Sequence, residues 1–90
     1  MSKEIHKKTW SSVFEKVLDG SKTFDVRLAD WACHPGDVLV LDEVDDLTRQ
    51  PTGRSLRKRV GFILHTKDMT FFPKESIEQH GLQVISLLEE

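Results

Sequence analysis

Apolar positions along this chain change their period several times, and each change marks an element. Trp10, Val13, Phe14, Val17 and Leu18 fall at i, i+3, i+4, i+7 and i+8, the stripe of an amphipathic helix. Thr9 stands where an N-cap is expected, and Gly20 stands just past the last turn, where positive φ is common. Burying that stripe would contribute on the order of 1.5–3 kcal/mol per large side chain. Ahead of it, Ile5 to Lys8 reads as a short strand. Behind it the period drops to two. Thr23, Asp25 and Arg27 alternate with Phe24, Val26 and Leu28, which predicts a strand with a polar front and an apolar back closing the core.

Val38 to Val44 is a nearly continuous apolar run, the mark of a buried strand, and it turns polar at Asp42 and Glu43. Pro35-Gly36-Asp37 before it predicts a tight turn. A polar loop is expected from Asp45 to Arg54, turning at Pro51-Thr52-Gly53. Ser55 to His65 then alternates, and its set Leu56, Val60, Phe62 and Leu64 is expected to face the core. Gly61 in its middle predicts a bulge or bend. After a loop over 66–70, Phe71-Phe72-Pro73 leads into a helical turn from Lys74 to His80, stopped by Gly81. Leu82 to Leu88 closes the series as a strand, with Gln83, Ile85 and Leu87 on one side and Val84, Ser86 and Leu88 on the other. Five short strands, one main helix and one short helix imply an α+β fold, a small mixed β-barrel with the helix at one end.

Composition narrows the functional classes. Ninety residues form one domain, 1–90, with an ordinary 38% hydrophobic content. Charged residues are 31%, of both signs, and the net charge is −2, against binding of nucleic acid by bulk charge alone. A local basic cleft remains open. The single cysteine, Cys33, permits neither an internal disulfide nor a cysteine-based zinc cage. His6, His34, His65 and His80 show no metal-ligand spacing, so no metal or other cofactor is expected. No apolar run is long enough for a bilayer, and Met1 to Lys8 lacks the apolar core of a signal peptide, so the cytoplasm is the expected compartment. The oligomeric state is left open by the sequence, with a monomer favoured.

The chemistry worth weighing is concentrated between Gly20 and Arg27. Lys22 and Arg27 suit a phosphate or carbonyl oxygen, and Asp25 could accept protons from a base amino group or orient Lys22. Surface ion pairing among Lys22, Asp25, Arg27 and Asp30 is the plain alternative. Lys8 adds charge nearby. Trp10 and Trp31 are candidate stacking platforms, with packing roles as the alternative. Arg54, Arg57, Lys58 and Arg59 form the one dense basic run, read either as a solvated strand face or as a phosphate-tracking patch through Arg57 and Arg59.

Thr9-Trp10, Phe14, Val17-Leu18, Gly20, Lys22-Thr23, Arg27 and Gly36-Asp37-Val38-Leu39, at these spacings, resemble the ASCH domain family. That family belongs to the PUA-like superfamily of small RNA-associated barrels, and the likeness is to its small single-domain branch. Gly20-x-Lys22-Thr23 is not a phosphate-binding loop, since the upstream glycine and the long following helix are missing. The resemblance implies a cleft lined by the helix-to-strand segment that binds RNA or a nucleotide-like ligand. It also implies an alternative, a small hydrolase of modified pyrimidine nucleosides, such as N4-acetylcytidine, or a ribonuclease. Such hydrolases use a lysine, a threonine and a distant glutamate. Lys22 matches the lysine, while the threonine position falls on Asp25, with Thr23 on the same face. Lys22, Thr23 and Asp25 are therefore the catalytic candidates that reading would require.

Overall fold

The computed structural model describes residues 3–68 and 73–90. Its elements run β1 (Glu4–Trp10), α1 (Ser11–Leu18), β2 (Phe24–Leu28), β3 (Val38–Val44), β4 (Pro51–His65), a 3₁₀ turn (Thr66–Asp68), α2 (Lys74–Ile77) and β5 (Leu82–Leu88). The strands form one sheet in the order β1-β3-β4-β5-β2. β1 runs parallel to β3, with Glu4 opposite Val38 and Trp10 opposite Val44. The other pairings are antiparallel. The sheet curls into a half-barrel, a small barrel-like α+β fold.

α1 packs against β1 and β3, presenting Phe14 and Val17. Val17 joins Cys33, Leu39, Leu41, Val60, Ile85 and Leu87 in the buried core, with Ile5, Trp31, Leu56 and Ile63 packed at its margin. β3 is buried on both faces, which is why its sequence reads as an apolar run. The expected turns recur at Gly20 and Gly36. Gly20 takes φ +86 past the helix. At His34-Pro35-Gly36-Asp37, Asp37 N donates to His34 O at 3.0 Å, and Gly36 takes the φ of +98 that this turn requires. The Asp37 carboxylate, itself buried, accepts from the backbone N–H of His34 and of Lys3 and so ties the turn to the start of β1.

Several expectations are corrected. Strand β1 continues through Thr9 and Trp10, so Trp10 rather than Thr9 is the N-cap of α1, and no side chain caps it. Trp10 and Leu18, the ends of the helical stripe, are exposed because an eight-residue helix has only two turns to bury. β4 begins at Pro51, and the turn lies earlier. Asp45 Oδ1 accepts from Leu47 N and Thr48 N, and Asp45 N donates to Gln50 O. α2 is one turn, Lys74–Ile77, rather than a helix to His80. Phe71 and Phe72 lie outside the described residues.

Two strands differ in which face they bury. In β4 the register shifts between Val60 and Ile63, at the bulge foreseen for Gly61. Leu56 and Val60 therefore point inward, but beyond the bulge Ile63 turns in, while Phe62 and Leu64 are exposed. In β2 the alternation is as expected but inverted. Asp25 is the buried residue, at 3% exposure, and Phe24, Val26 and Leu28 lie outside. The cause is the position of β2 at the edge of the half-barrel. Its inner face looks onto the seam with β1, where Asp25 and Arg27 find polar partners.

Candidate functional site

β1 and β2 end the strand order, and no backbone ladder joins them. Arg27 bridges the gap. Its Nε donates to Asp25 Oδ2 at 2.7 Å and its Nη2 to Asp25 Oδ1 at 3.3 Å. The remaining donors cross to β1. Nη1 reaches the Lys8 carbonyl at 2.8 Å, and Nη2 reaches Thr9 Oγ1 at 3.0 Å. One planar guanidinium thus satisfies a buried carboxylate, an edge carbonyl and a hydroxyl, a task its rigid fork suits and an ammonium does not.

Along this seam runs a cleft of about 290 Å³. Its walls are Lys8, Thr9 and Trp10 of β1, Val13 of α1, and Lys22, Asp25, Val26 and Arg27 of the β2 segment. A smaller hollow of about 160 Å³, over Thr9, Trp10 and Val44, adjoins it through Lys8. Lys22 Nζ donates to the Phe24 carbonyl at 2.5 Å. Burial pushes the Lys22 ammonium below the usual lysine range; Asp25 pulls it part of the way back, and Arg27 opposes that. Among the described residues neither Lys8 nor Lys22 makes an ion pair, whereas Arg27 is paired to Asp25. The cleft therefore carries excess positive charge beside an apolar wall of indole and valine.

The structure brings Lys8, Trp10, Lys22, Asp25 and Arg27 together and leaves other sequence candidates elsewhere. Thr23 is exposed ahead of β2 and does not line the cleft; its carbonyl accepts from Leu87 N. Trp31 packs on the core margin, its ring under Lys7 Nζ at 4.0 Å and its carbonyl accepting from buried Gln83. Arg57 pairs with Glu4 and with Glu90, and Lys58 pairs with Glu89, so most of the basic run is neutralised. Arg59 is exposed on β4 opposite Leu88, away from the cleft.

Three contributors escaped the sequence reading. Thr9, expected as a helix cap, is an acceptor inside the seam. Arg49 takes φ +62, rare for a side-chain-bearing residue, and sets its guanidinium 5.4 Å from the centre of the Trp10 ring. Glu43, 3% exposed, lies on the far side of β1. It accepts from Arg54 Nε at 2.7 Å, Arg54 Nη2 at 2.9 Å and Thr52 Oγ1 at 2.5 Å. Arg54 also donates to Glu15 at 2.5 Å. These bonds, chiefly from Arg54, bring Glu43 down from 4.5 to about 2. An acidic residue at the polar end of an apolar strand was the available signal. Cys33 is buried, and its thiol is pushed upward by burial and by Asp37, the opposite of an activated nucleophile. Among the described residues no group of three His, Cys, Asp or Glu could hold a metal ion, and no helix is long and apolar enough to cross a membrane.

Residues 5–75 match the model of a family described as Domain of unknown function (DUF3850). The chain belongs to that family. The DUF3850 match runs from β1 into α2, so it includes the whole seam cleft and stops short of β5. No curated protein matches the chain.

Proposed function

We propose that this DUF3850 domain is an RNA- or nucleotide-binding module of the ASCH and PUA-like kind, and that the seam between β1 and β2 is its site. The observation that carries the reading is the pair of ammonium groups, Lys8 and Lys22, lining one cleft beside Trp10 and making no ion pair among the described residues. Unpaired ammoniums favour phosphate oxygens, and an indole at 45% exposure offers a face for a base. Arg27 and Asp25 hold the walls at fixed separation and present polar edges between the two lysines.

Titration of short single-stranded RNAs, and of nucleoside monophosphates, by fluorescence anisotropy or calorimetry at two salt concentrations tests this. Binding should weaken with salt and lose affinity in Lys22→Ala and Lys8→Ala, with the fold intact by circular dichroism. Absence of binding to every one of these anions at low salt refutes it. The hydrolase reading has one observation in its favour, a lysine whose proton is loosened by burial. It predicts loss of the N4-acetylcytidine absorbance band on incubation, abolished by Lys22→Ala.

A further inference from the structure

The outer face of β2, β5 and the far half of β4 carries an apolar surface that borders the cleft at Val26 and at Lys22, whose Nζ lies 4.8 Å from the centre of the Phe24 ring. Phe62 is 70% exposed, and Phe24, Val26, Leu28, Leu64, Leu82 and Leu88 are between 37% and 55% exposed. The register makes them neighbours. Val26 lies opposite Val84 and Leu28 opposite Leu82, while Leu64 lies opposite Val84 from the other side. Phe24 and Phe62 flank Ser86, whose hydroxyl is already committed to Phe62, accepting from its N–H at 2.7 Å and donating to its carbonyl at 3.1 Å. The bulge at Gly61 is what brings Phe62 and Leu64 onto this face.

From these fractions, with side-chain areas on the order of 150–200 Å², the patch amounts to roughly 500–600 Å², the top of the range for monomers. Two such faces would together bury roughly 1,000–1,200 Å², the lower bound for a specific interface. Apart from the Lys22 ammonium over Phe24, the described residues of the patch offer no free donor, acceptor or charge to a nucleic acid. Its two ends differ in charge. Arg59 stands exposed at the Leu88 end, where Glu89 and Glu90 are engaged by Lys58 and Arg57. At the opposite end Glu75 and Glu78 line a hollow with Leu28 and Leu82. A two-fold axis lying between two such faces and running across the strands would set Arg59 of one copy against Glu75 and Glu78 of the other.

We infer that a second copy of this chain covers the face, as an antiparallel, face-to-face pair of sheets. Three strands span only about 10 Å across, so the curl of the half-barrel does little to separate them. The association is isologous and concentration-dependent, and it borders each seam cleft at Val26 and Lys22.

Sedimentation velocity from micromolar to near-millimolar protein reads it directly. The full chain should pass from monomer to dimer across that range. Phe62→Asp and Leu28→Asp, both at exposed positions, should weaken self-association roughly tenfold or more while the far-ultraviolet spectrum and melting curve stay native. Arg59→Glu should weaken it less, and Glu78→Arg placed in the same chain as Arg59→Glu should restore it. A chain that stays monomeric throughout, including one that instead floats with lipid vesicles, overturns the inference. So does a dimer indifferent to Phe62→Asp.

Discussion

The two flanks of β1 use the same device to opposite effect. On one side Arg27 clasps buried Asp25; on the other Arg54 clasps buried Glu43. Each arginine then spends its remaining donors on a neighbouring element. Arg27 meets a neutral carbonyl and a hydroxyl, whereas Arg54 meets a second carboxylate, Glu15. The Arg54 cluster is left net negative, beside a hollow of about 310 Å³ that Glu43 and Arg54 help to line. The Arg27 seam is left with Lys8 and Lys22 over, net positive and open to a cleft. What distinguishes a structural ion pair from the frame of an anion site is therefore not the pair but the charges around it.

The largest expected effect falls on the seam itself. Arg27→Ala leaves Asp25 buried without a partner and should cost about 3 kcal/mol in urea unfolding. Arg27→Lys should recover little of it, since one ammonium cannot reach Asp25, the Lys8 carbonyl and Thr9 together. A neutral Arg27→Ala would show that β1 and β2 are held by something else.

The Arg54 cluster should reveal itself in acid. Because the folded-state value of Glu43 lies below its ordinary 4.5, at about 2, its contribution is complete above pH 4.5 and fades as pH falls from there toward 2. Glu43→Gln should be less stable than wild type near neutrality, and the difference between the two should shrink across that window. A constant difference down to pH 2 would contradict the assigned bonding.

Smaller effects separate binding from folding. Lys22→Ala and Lys8→Ala should each weaken anion binding by roughly 1 kcal/mol and lower the salt slope by about one, with unchanged melting temperature. Since burial lowers the Lys22 pKa, wild-type affinity should decline on the alkaline side earlier than an ordinary lysine allows, and Lys22→Ala should remove that decline. The smallest change is expected at Arg57, already paired to Glu4 and Glu90. Arg57→Ala should alter binding by less than about 0.5 kcal/mol. A larger loss would move the nucleic-acid surface onto β4.

Sequence by itself determined the elements of this protein: the helical stripe ending at Gly20, the turn at Pro35-Gly36, the apolar β3 and the break at Gly61. These are local facts, set by period and by backbone freedom, and they need no knowledge of neighbours. It also determined that Lys22, Asp25 and Arg27 would lie close along the chain. Only the tertiary structure decided which way they face. An alternating strand has a period of two but no built-in direction, and its direction depends on what lies across from it. Arg27 had Lys8 and Thr9 across the seam, so the polar side of β2 turned inward and Phe24, Val26 and Leu28 were left outside. The buried role of Glu43 was decided in the same way, by an arginine eleven residues further on that the fold brings back beside it.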